Sequence, residues 1–323
     1  MKRALIRFLT LWLICLTLTA VRAEQPAPAY HAELNIPYCT VDGKTLILNA
    51  FLPDKADKPV PAMVYFYGGW WFGGGVAKDL QGVPDWGVYA GRGVAVFSNQ
   101  YRLGQQGGFP QNIRDCRNAI RYVRKHAKEF NIDPDRIACT GISAGGYLTY
   151  MVTLVPEDFD DGGPCEGLEG ISAKVCGGFG YVGPTDFVSA WAAAPGDEIT
   201  DANGKVSHRP PDGKIPNDYR PRLRILFHGV TPETEQGKAL YARLSPVNLV
   251  RKDIPPILIC DGEKDPIVPG QPGKVLFEKL QAAGADATYW VTLNGGHAYP
   301  GGQGFRPVLN GFLDRIWNLE SNH

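Results

Sequence analysis

The sequence predicts an α/β protein whose mostly parallel sheet is covered by helices on both faces. Two observations carry this prediction. Short apolar runs of strand length alternate along the chain with segments of helical periodicity. One apolar run ends in the turn Gly141-Ile142-Ser143-Ala144-Gly145, and a helix-forming run follows it at once. Alternation of this kind is typical of parallel strands that are joined by crossover helices.

In the first half of the chain, apolar runs predict strands at 61–67, 93–98 and 136–140. Between the second and third of these, apolar residues recur every three or four positions over 113–130, which is helical spacing. The glycine-rich turn after the third strand leads into a predicted helix over 147–154.

In the second half, apolar runs predict strands at 175–181, 256–260 and 288–293. Helical spacing predicts helices over 274–283 and 306–318, one after each of the last two strands. The alternation of strand and helix therefore continues to the end of the sheet.

Two segments interrupt this alternation. Residues 156–174 are acidic and rich in glycine, which predicts a surface loop. Residues 187–245 are rich in proline and too long for a simple connection, which favours a small cap-like excursion over the carboxyl edge of the sheet. We expect Thr185 or Asp186 to cap a helix that begins near Phe187.

The N-terminus has the pattern of a secretory signal peptide. A basic start, an apolar stretch at 8–21 and small residues before the cut predict cleavage after Ala23, which leaves one α/β domain over 24–323. About 14 apolar residues are short for a membrane span. We therefore expect a secreted or periplasmic protein with no stable membrane insertion after cleavage.

Cleavage after Ala23 would remove four cations and no acids, so the net charge would change from 0 to −4. This balance gives no reason to expect a nucleic-acid partner. We expect a small-molecule or polysaccharide ester as the partner, and the sequence leaves the oligomeric state open.

Six cysteines remain after cleavage, an even number that is compatible with disulfides in an exported protein. Cys139 and Cys260 lie in apolar strand-like runs, which predicts buried free thiols. Cys165 and Cys176 flank a glycine-rich loop and are the predicted pair. No spacing of cysteine and histidine fits a zinc site, so we predict neither metal nor cofactor.

Ser143 is the candidate nucleophile. A tight strand-to-helix turn holds a serine hydroxyl clear of the sheet, and small residues two positions away on either side allow the backbone to bend that sharply. The same turn places the amide of Ala144 at a helix N-terminus, where a developing oxyanion is stabilised.

A serine nucleophile needs a base, and two histidines compete for that role. His297 follows the last strand and precedes the last helix, whereas His228 follows an apolar run in the excursion. Loops at the carboxyl ends of parallel strands build the sites of α/β sheets. We therefore predict His297 as the base and keep His228 as its rival.

The base in turn needs an orienting acid. Asp265 lies in the loop after the penultimate strand, far enough from the strand end to turn back toward His297. We expect Asp261 to be a turn-forming residue ahead of Gly262. Asp186 is an alternative acid that is better explained as a helix cap.

The run after the first strong strand contains Tyr67, Gly68, Gly69, Trp70 and Trp71. Gly68 and Gly69 are the predicted second source of oxyanion amides, because glycine lets the backbone approach a substrate closely. Tyr67, Trp70 and Trp71 are predicted substrate contacts, although packing in the core explains an aromatic ring in such a turn equally well.

These residues together resemble the α/β-hydrolase esterases of the hormone-sensitive-lipase and feruloyl- and acetyl-esterase-like group. The resemblance covers roughly residues 45–315 and implies that Ser143, Asp265 and His297 are the nucleophile, acid and base. The motifs that carry it occur in the family's order: Tyr101-Arg102-Leu103, Ile132-Asp133-Pro134, Gly141 to Gly146, Gly183-Pro184-Thr185-Asp186, Gly262 with Asp265, Val268-Pro269, and Gly296-His297.

One departure concerns the oxyanion loop, where Tyr67 stands in place of the family's histidine and Trp70 in place of its third glycine. The resemblance implies an exported serine carboxylester hydrolase that acts through an acyl-enzyme, with acetyl or feruloyl esters of carbohydrates as substrates. One alternative is a serine exopeptidase on the same fold, which would normally carry a large N-terminal propeller. The other is a non-catalytic relative that uses its cleft for binding.

Overall fold

A computed structural model describes residues 30–76, 89, 93–193, 199–200, 206–207, 219–300 and 304–318. Within these residues an eight-stranded sheet has the strand order β1-β2-β4-β3-β5-β6-β9-β10, and β7 and β8 form a separate antiparallel pair. The strands are β1 (Tyr30–Val41), β2 (Lys44–Pro53), β3 (Val60–Phe66), β4 (Ala95–Asn99), β5 (Ile132–Ile142), β6 (Gly177–Tyr181), β7 (Ile199–Thr200), β8 (Val206–Ser207), β9 (Ile257–Gly262) and β10 (Ala287–Thr292).

The described helices are α1 (Gln111–Lys125), α2 (Ala144–Leu154), α3 (Phe187–Ala193), α4 (Tyr219–Leu226), α5 (Glu235–Arg243), α6 (Pro272–Ala282) and α7 (Phe305–Trp317), with 3₁₀ turns at Gly104–Gly107 and Pro246–Asn248. Five of the seven described helices lie where the sequence predicted a helix, and the two others, α4 and α5, belong to the excursion. All strand pairs from β4 to β10 across the sheet are parallel. This confirms the mostly parallel α/β architecture.

The central strands are apolar on both faces because helices cover both sides of the sheet. In β3, β5 and β9, the side chains of Val64, Cys139 and Ile259 are fully buried, as are most of their neighbours. A parallel sheet with two covered faces needs such continuous apolar runs. The carboxyl ends of these strands therefore share one edge, where the loops that carry chemistry meet.

The sequence-based prediction omitted the N-terminal hairpin. Strands β1 and β2 pair in antiparallel fashion through the turn Asp42-Gly43, where φ is +50° and +73°. Two positive φ angles in a two-residue loop are the geometry that Asp-Gly favours between hairpin strands. An Asp-Gly dipeptide between two runs with apolar residues is the sequence signal that predicts such a hairpin.

Helix α1 ends at Lys125, five residues before the predicted end. The chain then turns, and the Ile132 amide donates to the Ala127 carbonyl as β5 begins. Asn131 takes a left-handed φ of +50° at this turn, a conformation that asparagine tolerates better than most residues. The helical spacing of apolar residues therefore continues past the end of the helix into a turn.

The loop at 156–174 is bound to α1 by a row of arginines. Arg114, Arg117, Arg121 and Arg124 recur every three or four positions, and each donates to backbone carbonyls of this loop. Arg117 also forms a buried ion pair with Asp161 at 2.7 Å. The predicted surface loop is therefore held along one whole helix face.

A disulfide joins Cys39 of β1 to Cys165 of this loop, with their Cα atoms 5.9 Å apart. The prediction that Cys165 pairs with Cys176 was wrong, because Cys176 is a free, half-buried thiol. Cys139 and Cys260 are buried free thiols, as predicted. Because the bonded cysteines have a sequence separation of 126, no argument from local sequence could predict this pairing.

The described part of the 187–245 excursion consists of α3, α4, α5 and the pair β7–β8. Asp186 caps α3, since its Oδ1 accepts from the amides of Val188 and Ser189. The predicted signal peptide at 1–23 and several parts of the excursion lie outside the described residues. Among the helices that the structure describes, none combines the length and apolar character needed to cross a membrane.

Candidate active site

Ser143 lies between β5 and α2 in a strained backbone conformation. Its φ is +58° and its ψ is −118°, a combination that non-glycine residues rarely adopt. The Ser143 amide donates to the Tyr181 carbonyl of β6 at 2.8 Å, which holds the turn against the neighbouring strand. Backbone strain therefore falls on the residue whose hydroxyl must stand clear of the sheet.

Close backbone packing explains the glycines around Ser143. A Cβ on Gly145 would lie 1.9 Å from the Phe66 carbonyl oxygen, and one on Gly141 would lie 2.4 Å from the Gly145 carbonyl oxygen. Real Cβ atoms do not approach backbone oxygens that closely, so only glycine fits at either position. Helix α2 can therefore begin directly against the end of β3.

Asp265 and His297 are hydrogen-bonded, with Oδ2 of the carboxylate 2.7 Å from Nδ1 of the imidazole. The Asp265 side chain is 3% exposed and the His297 side chain 19%. The other carboxylate oxygen accepts from the amides of Ile267 and Val268 at 2.8 and 2.9 Å. The acid is fixed by its own loop, and the bond favours a proton on Nδ1, which leaves Nε2 free to accept.

The loop that carries His297 is anchored by Tyr299. The Tyr299 hydroxyl lies 2.8 Å from the Tyr65 hydroxyl of β3, and its ring packs against Tyr181 with the centroids 5.0 Å apart. Because the Tyr181 carbonyl also holds the Ser143 amide, the base loop and the serine turn share a support. No direct hydrogen bond joins Ser143 Oγ to His297 within the described residues, and such bonds often tighten only when substrate binds.

Gly68 lies against the serine turn. A Cβ on Gly68 would be 3.0 Å from the Ile142 carbonyl oxygen and 3.3 Å from Ser143 Cβ. Gly69 has a φ of +117°, and its carbonyl accepts from the amides of Phe72 and Gly73, so the loop closes on itself. The Ala144 amide is the first of α2 and has no partner within its own helix. Gly68 and Ala144 therefore lie next to Ser143, and Gly69 follows Gly68 in the same loop.

Tyr67 differs from its predicted role as a substrate contact. The side chain is buried, its ring stacks on Tyr101 with centroids 4.3 Å apart, and the Tyr101 hydroxyl donates to the Tyr67 carbonyl at 2.7 Å. The Tyr67 hydroxyl meets the Tyr101 backbone in return. Since these contacts leave little surface for a ligand, Tyr67 braces the loop in the place of the family's histidine.

Trp70 and Trp71 both have left-handed backbone angles, with φ of +58° and +60°. Trp71 is buried among the rings of Phe109, Tyr147 and Phe187, while Trp70 is half-buried and packs edge-on against Tyr219. Both indoles line a small alcove at Ser143. Its volume is about 10 Å³, the room for about one water molecule.

Tyr219, at the start of α4, is a site residue that the sequence-based prediction missed. It lines the alcove at Ser143 and also a larger cavity of about 260 Å³ nearby. Pro184 and Val268 line both cavities as well. No local motif marks Tyr219, because it reaches the site only through the fold of the excursion.

Asp261 is a buried acid close to Asp265 and not a simple turn residue. Burial raises the pKa of its carboxyl to about 6. The carboxylate accepts from the Tyr289 hydroxyl at 3.1 Å and from the Lys274 amide at 3.2 Å. It therefore ties the end of β9 to both β10 and the first turn of α6. The loop that carries Asp265 begins just after this point.

The rival candidates lie in other surroundings. The His228 side chain is exposed, and its Nε2 is 3.2 Å from the Gln111 side chain, whereas both oxygens of Asp186 are engaged in capping α3. Among the described residues, no group of three or more histidine, cysteine or acidic side chains is placed to hold a metal ion.

Comparison with known proteins gives a consistent result. A family model described as BD-FAE matches residues 48–280. Esterase LipC of Mycobacterium tuberculosis is 26% identical over 248 residues, which are 76% of this chain and 55% of LipC. Carboxylesterase NlhH of the same species is 28% identical over 82% of this chain and 75% of its own length. The chain thus spans little more than half the length of LipC.

Solved structures show the same relationship. A truncated carbohydrate esterase from gut microbiota superposes with a TM-score of 0.71 at 25% identity, covering 91% of this chain and 99% of its own. A thermophilic esterase of Thermogutta terrifontis with bound butyrate superposes with a TM-score of 0.62 at 25% identity, covering 90% and 92% of the two chains. The fold is that of the α/β-hydrolase esterases.

Proposed function

The chain belongs to the BD-FAE family, and from that membership we propose that it is a serine carboxylester hydrolase that works through an acyl-enzyme. The observation that carries the proposal is the buried hydrogen bond of 2.7 Å between Asp265 and His297. In the His297 loop, Tyr299 packs against Tyr181 of β6, and the Tyr181 carbonyl accepts from the Ser143 amide. An acid-oriented imidazole beside a strained serine turn is the arrangement that acyl transfer requires.

In the proposed reaction, His297 Nε2 takes the proton of the Ser143 hydroxyl while Oγ attacks the ester carbonyl carbon. Asp265 holds the imidazole in the tautomer that accepts at Nε2 and stabilises the imidazolium that forms. The imidazolium then gives its proton to the leaving alkoxide, and the alcohol departs. Water, activated by the same imidazole, hydrolyses the acyl-enzyme and restores Ser143.

The tetrahedral intermediate carries a negative oxygen that needs backbone donors. We assign this role to the amides of Ala144 and of Gly68 or Gly69, since Gly68 packs against the serine turn. Removing one oxyanion donor typically lowers kcat by about 10²–10³-fold, so the geometry of this loop matters for rate. The Tyr67–Tyr101 stack holds the loop in place.

For the substrate, we propose short acyl groups, acetyl or feruloyl, on carbohydrates. The narrow alcove at Ser143 favours acetyl, the smaller of these two groups, beside the nucleophile. A structural neighbour that is a carbohydrate esterase and another solved with butyrate bound give independent support.

We propose that the protein is exported and that residues 1–23 are its cleaved signal peptide. The Cys39–Cys165 disulfide supports this proposal, because disulfides persist in secreted and periplasmic proteins and are rare in the cytosol.

The proposal is tested by p-nitrophenyl acetate hydrolysis with the wild type, Ser143→Ala and His297→Ala. We expect kcat to fall by about 10³–10⁶-fold in both variants, because each removes a member of one catalytic unit. His228→Ala is the matched control and should keep wild-type activity. An inactive wild type, or a His228→Ala variant that loses as much turnover as His297→Ala, would contradict the assignment.

A further inference from the structure

Asp261 is a buried acid that takes part in no ion pair within the described residues. It lies near the end of β9, four residues before Asp265, and is 3% exposed. Its Oδ2 accepts from the Tyr289 hydroxyl at 3.1 Å and from the Lys274 amide at 3.2 Å. The Lys274 ammonium is 3.9 Å from Glu278 instead, on the exposed part of α6. Burying a carboxyl group without a cation is costly for folding, and acids that are perturbed in this way are concentrated at functional sites.

The first turn of α6 packs directly onto the Asp261 carboxyl group. A Cβ on Gly273 would lie 2.7 and 2.8 Å from the two carboxyl oxygens, so only glycine lets the helix approach this closely. The first amides of a helix have no partner within the helix, and the Lys274 amide finds one in Asp261. A negative charge at a helix N-terminus is also stabilised by the helix dipole. Asp261 therefore fixes the position at which α6 begins.

The acid loop, residues 265–271, leads from the catalytic acid to this same helix start. At its beginning, Asp265 Oδ1 accepts from the amides of Ile267 and Val268. At its end, Asp261 holds the first turn of α6. The loop is thus fixed by one carboxyl group at each end. Because the loop is short, a shift of the helix start moves Asp265 as well.

The loop that carries the catalytic base is attached to the same segment. The Lys264 amide donates to the Gly295 carbonyl at 2.8 Å. A Cβ on Gly262 would lie 2.3 Å from the Gly296 carbonyl oxygen, so the two backbones are in direct contact there. Because Gly262 follows Asp261 directly, the loops of the acid and of the base both rest on the backbone next to this carboxyl group.

The hydrogen bonds of Asp261 favour its ionised form. The Tyr289 hydroxyl and the Lys274 amide both donate to Oδ2, so a proton on that oxygen would face two donors. A proton on Oδ1 would remove the charge, and hydrogen bonds to an ionised acceptor are about twice as strong as those to a neutral one. Protonation of Asp261 therefore weakens its hold on α6 in either case.

The neighbours of Asp261 keep their protonation state where Asp261 changes its own. Burial raises the pKa of Asp261 to about 6, and the nearby Asp265 acts in the same direction. The other titratable groups that face it are Tyr289 of β10, Tyr150 of α2 and the adjacent Cys260. Burial raises the pKa of all three above their ordinary values, so they stay protonated between pH 5 and pH 8.

We infer that Asp261 is a positioning residue for the Asp265–His297 pair, and that its ionised form keeps the acid loop and α6 in the geometry that proton transfer requires. The inference rests on the proposed esterase function and adds a pH-dependent control to it. Asp261 touches no reacting atom and no substrate. Its effect is therefore expected in kcat, with KM little changed.

The ratio of the wild-type kcat to that of Asp261→Asn tests the inference, with acetate release from p-nitrophenyl acetate measured between pH 5 and pH 8. Asparagine keeps the shape and an acceptor oxygen but never carries the charge. We expect a ratio of about 5–10 at pH 8 and below about 2 at pH 5, because the wild-type carboxyl group is then as neutral as the amide. Glu278→Gln removes an exposed acid of α6 and should give a ratio near 1 throughout.

Tyr289→Phe is a second variant, which keeps the Asp261 carboxyl group and removes one donor to it. The carboxyl group should then hold its proton to higher pH. The pH midpoint of kcat relative to Asp261→Asn should move upward by about 0.5–1 unit, the size of one hydrogen bond to a charged group. At pH 8, kcat should stay within about twofold of the wild type.

The outcomes separate this inference from the function on which it rests. A wild type that hydrolyses the ester at no pH contradicts both. If the wild type is active but its ratio to Asp261→Asn is the same at pH 5 and at pH 8, the esterase function stands and the inference is wrong. A midpoint that Tyr289→Phe leaves in place also overturns the inference alone.

Discussion

Single residues set the chemistry of this site through their protonation and hydrogen bonding. Asp265 is nearly inaccessible to solvent, and three donors share its carboxylate: the His297 ring and the amides of Ile267 and Val268. These donors satisfy the hydrogen-bonding capacity of a buried carboxyl group. His297 is therefore oriented by a rigidly held partner.

Replacement of Asp265 by asparagine should test this orientation. The amide can accept from Ile267 and Val268 through its oxygen, but its NH₂ group would face His297 and favour the tautomer with a proton on Nε2. That tautomer cannot accept the serine proton, so we expect kcat to fall by about 10³–10⁴-fold. Steady-state kinetics measure the change. A loss below tenfold would show that the acid does not set the tautomer.

Asp261 should make the stability of the protein depend on pH. Its pKa is raised to about 6 by burial, so the folded state holds this proton more tightly than the unfolded state between about pH 4 and pH 6. As the pH rises through that window, this group lowers the free energy of unfolding by about 1–3 kcal/mol, and the loss is complete above pH 6.

Urea unfolding of the wild type and Asp261→Asn at pH 4 and pH 7.5 measures this effect. The stability of the variant relative to the wild type should improve by that amount at the higher pH. Asp253→Asn removes an exposed carboxylate and should show no such change. A wild-type-minus-variant difference that is independent of pH would contradict the burial argument.

Among the elements of the fold, two loops at the carboxyl edge are held by neighbouring strands. The serine turn is bound to β6 through the Tyr181 carbonyl, and the His297 loop reaches β3 through the Tyr65–Tyr299 contact. The oxyanion loop begins two residues after Tyr65, at Tyr67. The base and the oxyanion loop are therefore mechanically linked through one strand.

Tyr299→Phe should loosen this link without touching the reacting atoms. We expect kcat to fall by about 3- to 10-fold with KM little changed, because a small misplacement of the base affects the chemical step most strongly. Tyr65→Phe should have the same effect, and the double variant should be no worse than either single one. Tyr30→Phe, at an exposed ring, is the control. Additive losses would show that the two hydroxyls act independently.

At the scale of the whole molecule, the disulfide and the arginine row join parts of the chain that are far apart in sequence. The hairpin β1–β2 forms one edge of the sheet, and Cys39 in it is bonded to Cys165 across a sequence separation of 126 residues. The 156–174 loop is thus held by both α1 and β1.

Loss of this disulfide should destabilise the protein by about 2–5 kcal/mol, because the bond closes a long loop in the unfolded chain. Cys39→Ser/Cys165→Ser should lower the melting temperature, and dithiothreitol should lower that of the wild type but not of the variant. Non-reducing peptide mapping should recover the Cys39 and Cys165 peptides joined. Recovery of a peptide pair containing Cys176 would contradict the structure.

The sequence predicted the order of parallel strands and helices because two covered sheet faces force long apolar runs. It predicted the surroundings of Ser143 because few residues fit a strand-to-helix turn. It missed what depends on contacts between distant segments: the Cys39–Cys165 pairing, the entry of Tyr219 into the site, and the burial of Asp261. Tyr67 was placed near the site, but the stack that removes it from substrate is visible only in the structure.

Covalent labelling is the decisive test of Ser143 as an activated nucleophile. The wild type is incubated with a fluorophosphonate, and the adduct is located by intact mass and peptide mapping. We predict one adduct per chain, on the peptide that contains Ser143, with no adduct on Ser143→Ala and much slower labelling of His297→Ala. A wild type that stays unlabelled, or an adduct on any other residue, would contradict the account.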